Sequence, residues 1–180
     1  MKRRTALELI AAGIAPGQVG IAQHHLVTLA QASESYQLQF FSPAQNEMLA
    51  TLTEMIIPAD DHSPGAREAK VNLFIDLMVA HSSQNVQEQW RSGLKLVEAE
   101  AQTRVGKPFL KCSAAEENNI LAVMAASEAE PNSELEQFFG RLKSMTVDGY
   151  YTSATGIHRN LQYKGNAVLT DFPGCRHAEH

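Results

Sequence analysis

The adjacent carboxylates Asp60-Asp61, with His62 next and Arg67 close behind, come nearest to a reactive group by residue type and spacing. Two neighbouring carboxylates could bind a cation or exchange protons with a substrate, so a small enzyme would have its site at Asp60, Asp61, His62 and Arg67. The same residues suit a plainer role. They follow Pro58 and precede a polar turn, which they can cap, or they can pair with Arg67. Glu98 and Glu100 lie two apart on a predicted helix, do not share a face, and read as solvated surface.

Other chemistry finds little support. The chain has no GxSxG nucleophile motif, no GxGxxG after a strand and no GxxxxGK phosphate loop. Its histidines (His24, His25, His62, His81, His158, His177 and His180) include no i, i+4 pair of the kind that holds a metal on a helix. Cys112 and Cys175 form no CxxC; they could form a disulfide in an exported protein or remain free thiols. No residue is assigned as catalytic, metal-binding or cofactor-binding on these patterns. The methionines fall on predicted inner faces and read as core fillers.

The elements around these residues are helical. Ser42-Pro43-Ala44-Gln45 is a capping box with proline at the first helical position. Met48, Leu49, Leu52, Met55 and Ile56 follow on one face, and Pro58 stops the helix. After a loop from Ala59 to Ala69, Val71, Phe74, Ile75, Met78 and Val79 predict an inward stripe. A longer helix carries Trp90, Leu94, Val97 and Ala101, and Gly106-Lys107-Pro108 breaks it. Capping boxes at Ser113 to Glu116 and Ser133 to Glu136 open two more helices, the second with Leu135, Phe138, Phe139, Leu142 and Met145 inward. Strand signals are scarce. The expected fold is all-α: a single compact helical domain over residues 40–151, with an extended, irregular C-terminal tail over 152–180. Aromatics interleaved with glycine and proline there (Tyr150, Tyr151, Tyr163 and Phe172) suit a partner-docking surface, or simply packing on the chain's own helices.

Residues 1–32 read as a twin-arginine export signal or as a retained docking helix. Arg3-Arg4 precede a mildly apolar stretch, and Ala30-Gln31-Ala32 has the small residues of a cleavage site. Spanning a membrane takes about 20 apolar residues in a row, and the sequence has no such run. At 44% hydrophobic and 19% charged, the chain has a globular composition, and 180 residues can bury a core without metals or disulfides. A net charge of −5 with scattered basic residues argues against nucleic acid as a partner.

The stretch Leu52-Thr53-Glu54-Met55-Ile56-Ile57-Pro58-Ala59-Asp60-Asp61, followed by Ser63-Pro64-Gly65-Ala66, resembles the signature of the gluconate 2-dehydrogenase subunit 3 family. Gly149-Tyr150-Tyr151-Thr152-Ser153, Tyr163 with Gly165-Asn166, and Phe172-Pro173-Gly174-Cys175 resemble its C-terminal part. The resemblance covers residues 40–176. It implies a small, non-catalytic subunit that aids export, folding or stability of a large FAD-dependent dehydrogenase of the glucose–methanol–choline type. The substrates would be sugars, sugar acids or glycosides, with FAD in the large subunit and a cytochrome c subunit often completing the complex. It also implies twin-arginine export to the periplasm, with membrane association only through the complex. The readings from other classes are the small enzyme at Asp60 and Asp61 and a helical adaptor unrelated to dehydrogenases.

Overall fold

The helices that follow Ser42, Ser113 and Ser133 begin where a side chain can satisfy amides that have no partner in the first turn. In the computed structural model, which describes residues 36–165, helix α1 runs Pro43–Ile56. Ser42 Oγ accepts from the Gln45 amide, and Gln45 Oε1 accepts from the Ser42 amide. Helix α2 is Val71–Ala80, α3 is Gln84–Val105, α4 is Ala114–Met124 and α5 is Glu134–Tyr151. A short 3-10 turn, Phe109–Lys111, joins α3 to α4, and a π-helical turn, Gly156–Asn160, follows α5. Gly106 takes φ 77 at the end of α3, a left-handed conformation that glycine adopts without strain. No strand occurs among the described residues.

Helix α5 touches every other α-helix and the π turn. Its inner face (Phe138, Phe139, Leu142 and Tyr150) meets Leu49 and Leu52 of α1, Val71, Ile75 and Val79 of α2, Trp90, Leu94 and Val97 of α3, and Ile120 and Met124 of α4 in one core. Trp90 sits edge-on to Phe138 at 5.4 Å between ring centroids and to Phe41 at 6.2 Å. The stripes expected for α3 and α5 therefore hold in the structure.

Helix α2 is rotated from its expected stripe. Val71, Ile75 and Val79 are buried as expected, but Asn72 and Asp76 are buried beside them and Met78 is 45% exposed. The reason is Asp76. Its Oδ2 accepts from the Gln39 amide at 2.7 Å, and its Oδ1 from the Phe40 and Phe41 amides at 3.0 and 2.8 Å. A carboxylate can be buried when ionic hydrogen bonds replace its water. Holding this entering segment turns the polar side of α2 inward. Asn72 follows it and donates to Asn46 Oδ1 at 2.9 Å.

The tail also differs over its described part. Residues 153–161 coil rather than extend: Ser153 Oγ accepts from the Gly156 amide, and the Leu161 amide closes on the Gly156 carbonyl. Gly156 has no room for a side chain, since a Cβ there would lie 2.1 Å from the Tyr150 carbonyl oxygen. That close approach, invisible to periodicity, folds the chain back onto the domain.

The start of α4 makes stability depend on pH. Glu116 Oε2 accepts from the Ser113 amide and hydroxyl and pairs with Lys107 at 2.8 Å. The Lys107 hydrogen bond, then the Ser113 bonds, hold its carboxyl down to about 2. A carboxyl lowered by folding stabilises the native state above its unfolded value of 4.5 and loses that contribution as pH falls toward 2. The Tm of the full chain is expected to drop between pH 4.5 and 2, and Glu116→Gln should flatten that part of the curve.

Candidate functional site

The loop Ile57–Lys70 between α1 and α2 carries the carboxylates singled out in the sequence. Pro58 has no amide hydrogen and ends α1. The loop that follows is fastened by side chains rather than by regular structure. Glu54, on the last turn of α1, reaches across it: Oε1 accepts from the Ala59 amide at 3.1 Å and Oε2 from the Arg67 amide at 2.8 Å. Its carboxylate lies flat against Gly65, where a Cβ would come within 2.2 Å of Oε1. Asp60 Oδ1 accepts from the amides of His62 and Ser63 at 2.8 and 2.7 Å. These backbone hydrogen bonds hold the Asp60 carboxyl below its usual range. The Ala66 amide returns to the Ile57 carbonyl, closing the loop at its base.

The second motif stretch lands on the first. Tyr150 is fully buried, and its hydroxyl donates to the Pro64 carbonyl at 2.6 Å. Asn160 of the π turn donates to Ser63 Oγ at 3.0 Å, and Arg159 pairs with Glu68 at 2.7 Å across exposed surface. The first stretch that carries the family resemblance and the described part of the second thus form one spatial unit, with α5 and its turn tied to the α1–α2 loop. Tyr150→Phe removes a buried donor from the Pro64 carbonyl. It is expected to lower stability by about 1–2 kcal/mol in urea unfolding, with the helical spectrum unchanged.

The four residues of the small-enzyme reading do not assemble. Arg67 turns away from Asp60 and Asp61 and pairs with Glu47 at 2.9 Å and Thr51 Oγ1 at 3.1 Å. Asp61 and His62 are exposed. The Asp60 carboxylate is occupied by the turn, and its lowered pKa suits a permanent acceptor rather than a proton shuttle near neutrality. Of the two roles read for Asp60-Asp61, capping is the one Asp60 performs, while the pairing with Arg67 is replaced by Glu47.

The partner-docking aromatics divide. Tyr150 is a core residue, not a surface one, because Pro64 offers its hydroxyl an acceptor inside the domain. Tyr151 and Tyr163 are 40% and 48% exposed. Phe172, Cys175, Arg3 and Arg4 lie outside the described residues, and so does any pairing of Cys175 with Cys112. The Cys112 thiol is half-buried 3.6 Å from the Pro108 carbonyl, and burial pushes its pKa up. Glu98, expected on solvated surface, is half-buried and accepts from the Phe109 amide at 3.2 Å. Among the described residues no group of three or more His, Cys, Asp and Glu is placed to hold a metal ion, and no helix is long and apolar enough to cross a membrane.

Sequence reasoning missed Glu54 and Asp76 as the groups that organise this region. Asp76 did carry a signal: a lone acid in the apolar run Val71–Ala80 is a candidate for inward hydrogen bonding.

The carboxylates of Glu54, Asp60 and Asp76 thus accept from backbone amides, and the α1–α2 loop is tied to α5 and the turn after it. The chain matches the model of the gluconate 2-dehydrogenase subunit 3 family over residues 43–173, and it belongs to that family. The family's description is that of one subunit of a multi-subunit dehydrogenase. The match spans the α1–α2 loop and the end of α5, the two stretches joined by the Tyr150–Pro64 bond. A search of curated proteins and a search of solved structures each found no match.

Proposed function

We propose that this chain is the small, non-catalytic subunit of an exported dehydrogenase whose large subunit is a FAD-dependent, glucose–methanol–choline-type flavoprotein acting on sugars or sugar acids. The family match over residues 43–173 carries this reading. The use of Asp60, Glu54 and Asp76 as backbone acceptors supports it, since each stabilises this chain's own fold. The small subunit binds the folded, flavin-loaded partner and stabilises that form by mass action. Arg3-Arg4 direct the pair through the twin-arginine route, and the complex works at the periplasmic face, passing electrons to a cytochrome c subunit. Tyr151 and Tyr163 offer exposed aromatic contact area to the partner.

The test is co-expression of the full chain, tagged at its C-terminus, with the large subunit encoded beside it. The purified product is expected to show flavin absorbance and sugar-dependent dye reduction. A lone, colourless chain from the same preparation would remove the reading.

A further inference from the structure

A polar groove between α3 and α5 holds a cation that nothing in the fold answers. Arg141 of α5 lines this cavity of about 280 Å³. Its side chain is half-buried, and its Nε is shut off from solvent without an acceptor. No hydrogen bond or ion pair joins the guanidinium to another described residue. The other described arginines are all engaged: Arg67, Arg104 and Arg159 form ion pairs, and Arg91 stacks over the Phe40 ring. Leaving a buried donor of a charged group unmet is costly, so Arg141 calls for an explanation.

Acceptors are not lacking nearby. Glu88 of α3 and Glu134 of α5 line the same groove, both exposed, yet neither pairs with Arg141. Asn85, Gln89 and Gln137 add amides to the wall. Gln89 Nε2 donates to Asn85 Oδ1 at 2.8 Å, which leaves Asn85 Nδ2 as a donor and Gln89 Oε1 as an acceptor.

We propose that this groove binds a small hydroxy acid, with Arg141 holding its carboxylate. A guanidinium only donates, and its planar fork matches a carboxylate through two parallel hydrogen bonds. Glu88 and Glu134 define the rest of the ligand. Ionised carboxylates only accept, so what lies beside them carries donors, and a hydroxyl can serve both the glutamates and the amides. The two glutamates also repel a second negative charge, which favours a monocarboxylate over a phosphate or a dicarboxylate. The volume lies near the lower end of the roughly 300–1,000 Å³ of ligand pockets, which suits a small acid. The site belongs to the lone chain and does not depend on the subunit reading.

Heteronuclear NMR of the arginine Nε–H groups in the full, isotope-labelled chain tests this, with Arg141→Met identifying the Arg141 signal. Glycerate, which carries a carboxylate and hydroxyls, is expected to shift that signal and saturate it at millimolar ligand. Propionate, the carboxylate alone, should bind about tenfold more weakly, and glycerol, the hydroxyls alone, should leave the signal in place. Glu88→Gln/Glu134→Gln should tighten glycerate binding by about threefold or more at low salt. Arg141→Met should lose the glycerate response of the Gln137 amide and keep or raise the Tm, since the guanidinium has no partner inside the chain. No shift with glycerate, or an equal shift with glycerol, would overturn the site. A Tm lowered by more than a few degrees in Arg141→Met would show the guanidinium paired within the chain and would overturn it too. Free acids without effect, together with loss of co-purified flavoprotein on Arg141→Met, would assign the guanidinium to a carboxylate of the partner subunit and overturn the small-acid site.

Discussion

Asp76→Ala is expected to lower stability by about 4 kcal/mol, because it leaves up to three backbone amides without an acceptor at roughly 1–3 kcal/mol each when buried. Phe41 is buried, Gln39 and Phe40 partly so, which places the sum below three full penalties. For a domain of this size, the Tm should fall by more than about 10 °C. Asp76→Asn keeps the shape and one oxygen. Placed at the Oδ1 position, that oxygen can still serve the Phe40 and Phe41 amides, while the new NH2 group faces the Gln39 amide, donor against donor. Its expected loss is about 1–2 kcal/mol, between wild type and alanine. Guanidinium unfolding of the three proteins measures the order. If alanine cost less than asparagine, the carboxylate would not be what fastens the entering segment.

Why this residue escaped the sequence reading is instructive. Local signals were legible because their physics is local. Ser42 with Gln45 and Ser133 with Glu136 satisfy amides three residues away, and any chain with that spacing can do the same. The α3 stripe of Trp90, Leu94, Val97 and Ala101 repeats with the helical period, and all four residues are buried. Asp76 acts on amides 35 to 37 residues earlier, and the apolar run around it signals an inward acid without saying which amides it meets. Counting it as outward set the α2 stripe one side off and hid the apolar outer face. Tyr150 is similar: its acceptor, the Pro64 carbonyl, is 86 residues away.

The candidate site was legible as sequence and not as geometry. The two motif stretches are visible in the chain, and family membership follows from their order. That they form one locked unit depends on Glu54 lying against Gly65 and on the turn at Gly156 doubling back under Tyr150. The practical consequence concerns what varies at this site. Changes at Asp60, Gly65 or Tyr150 act first on the fold, whereas the exposed side chains of Leu77 and Met78 can change without disturbing it. Loss of complex on altering the first group would say little about the interface; loss on altering the second would say a great deal.

Gly93→Ala is the second large effect. A Cβ at Gly93 would lie 2.0 Å from Cδ2 of Phe138, a distance no non-bonded carbon pair tolerates. Phe138 has no room to retreat, being fully buried and edge-on to Trp90 at 5.4 Å. One of α3 and α5 has to shift, and overpacking of this kind costs about 1–3 kcal/mol, against which the better helix propensity of alanine returns about 1. With the contact this short and both helices fixed by other packing, the upper end applies, and a net loss of about 2 kcal/mol is expected. A double-mutant cycle separates the two contributions. In a Phe138→Leu background the smaller side chain vacates the ring position, so Gly93→Ala should cost little there and can even stabilise, through propensity alone. Chemical unfolding of the four proteins yields the coupling energy directly. Equal costs in both backgrounds would mean that α3 and α5 are not held apart by this ring, and that the close crossing through which α5 gathers the other helices tolerates a wider spacing than the structure implies.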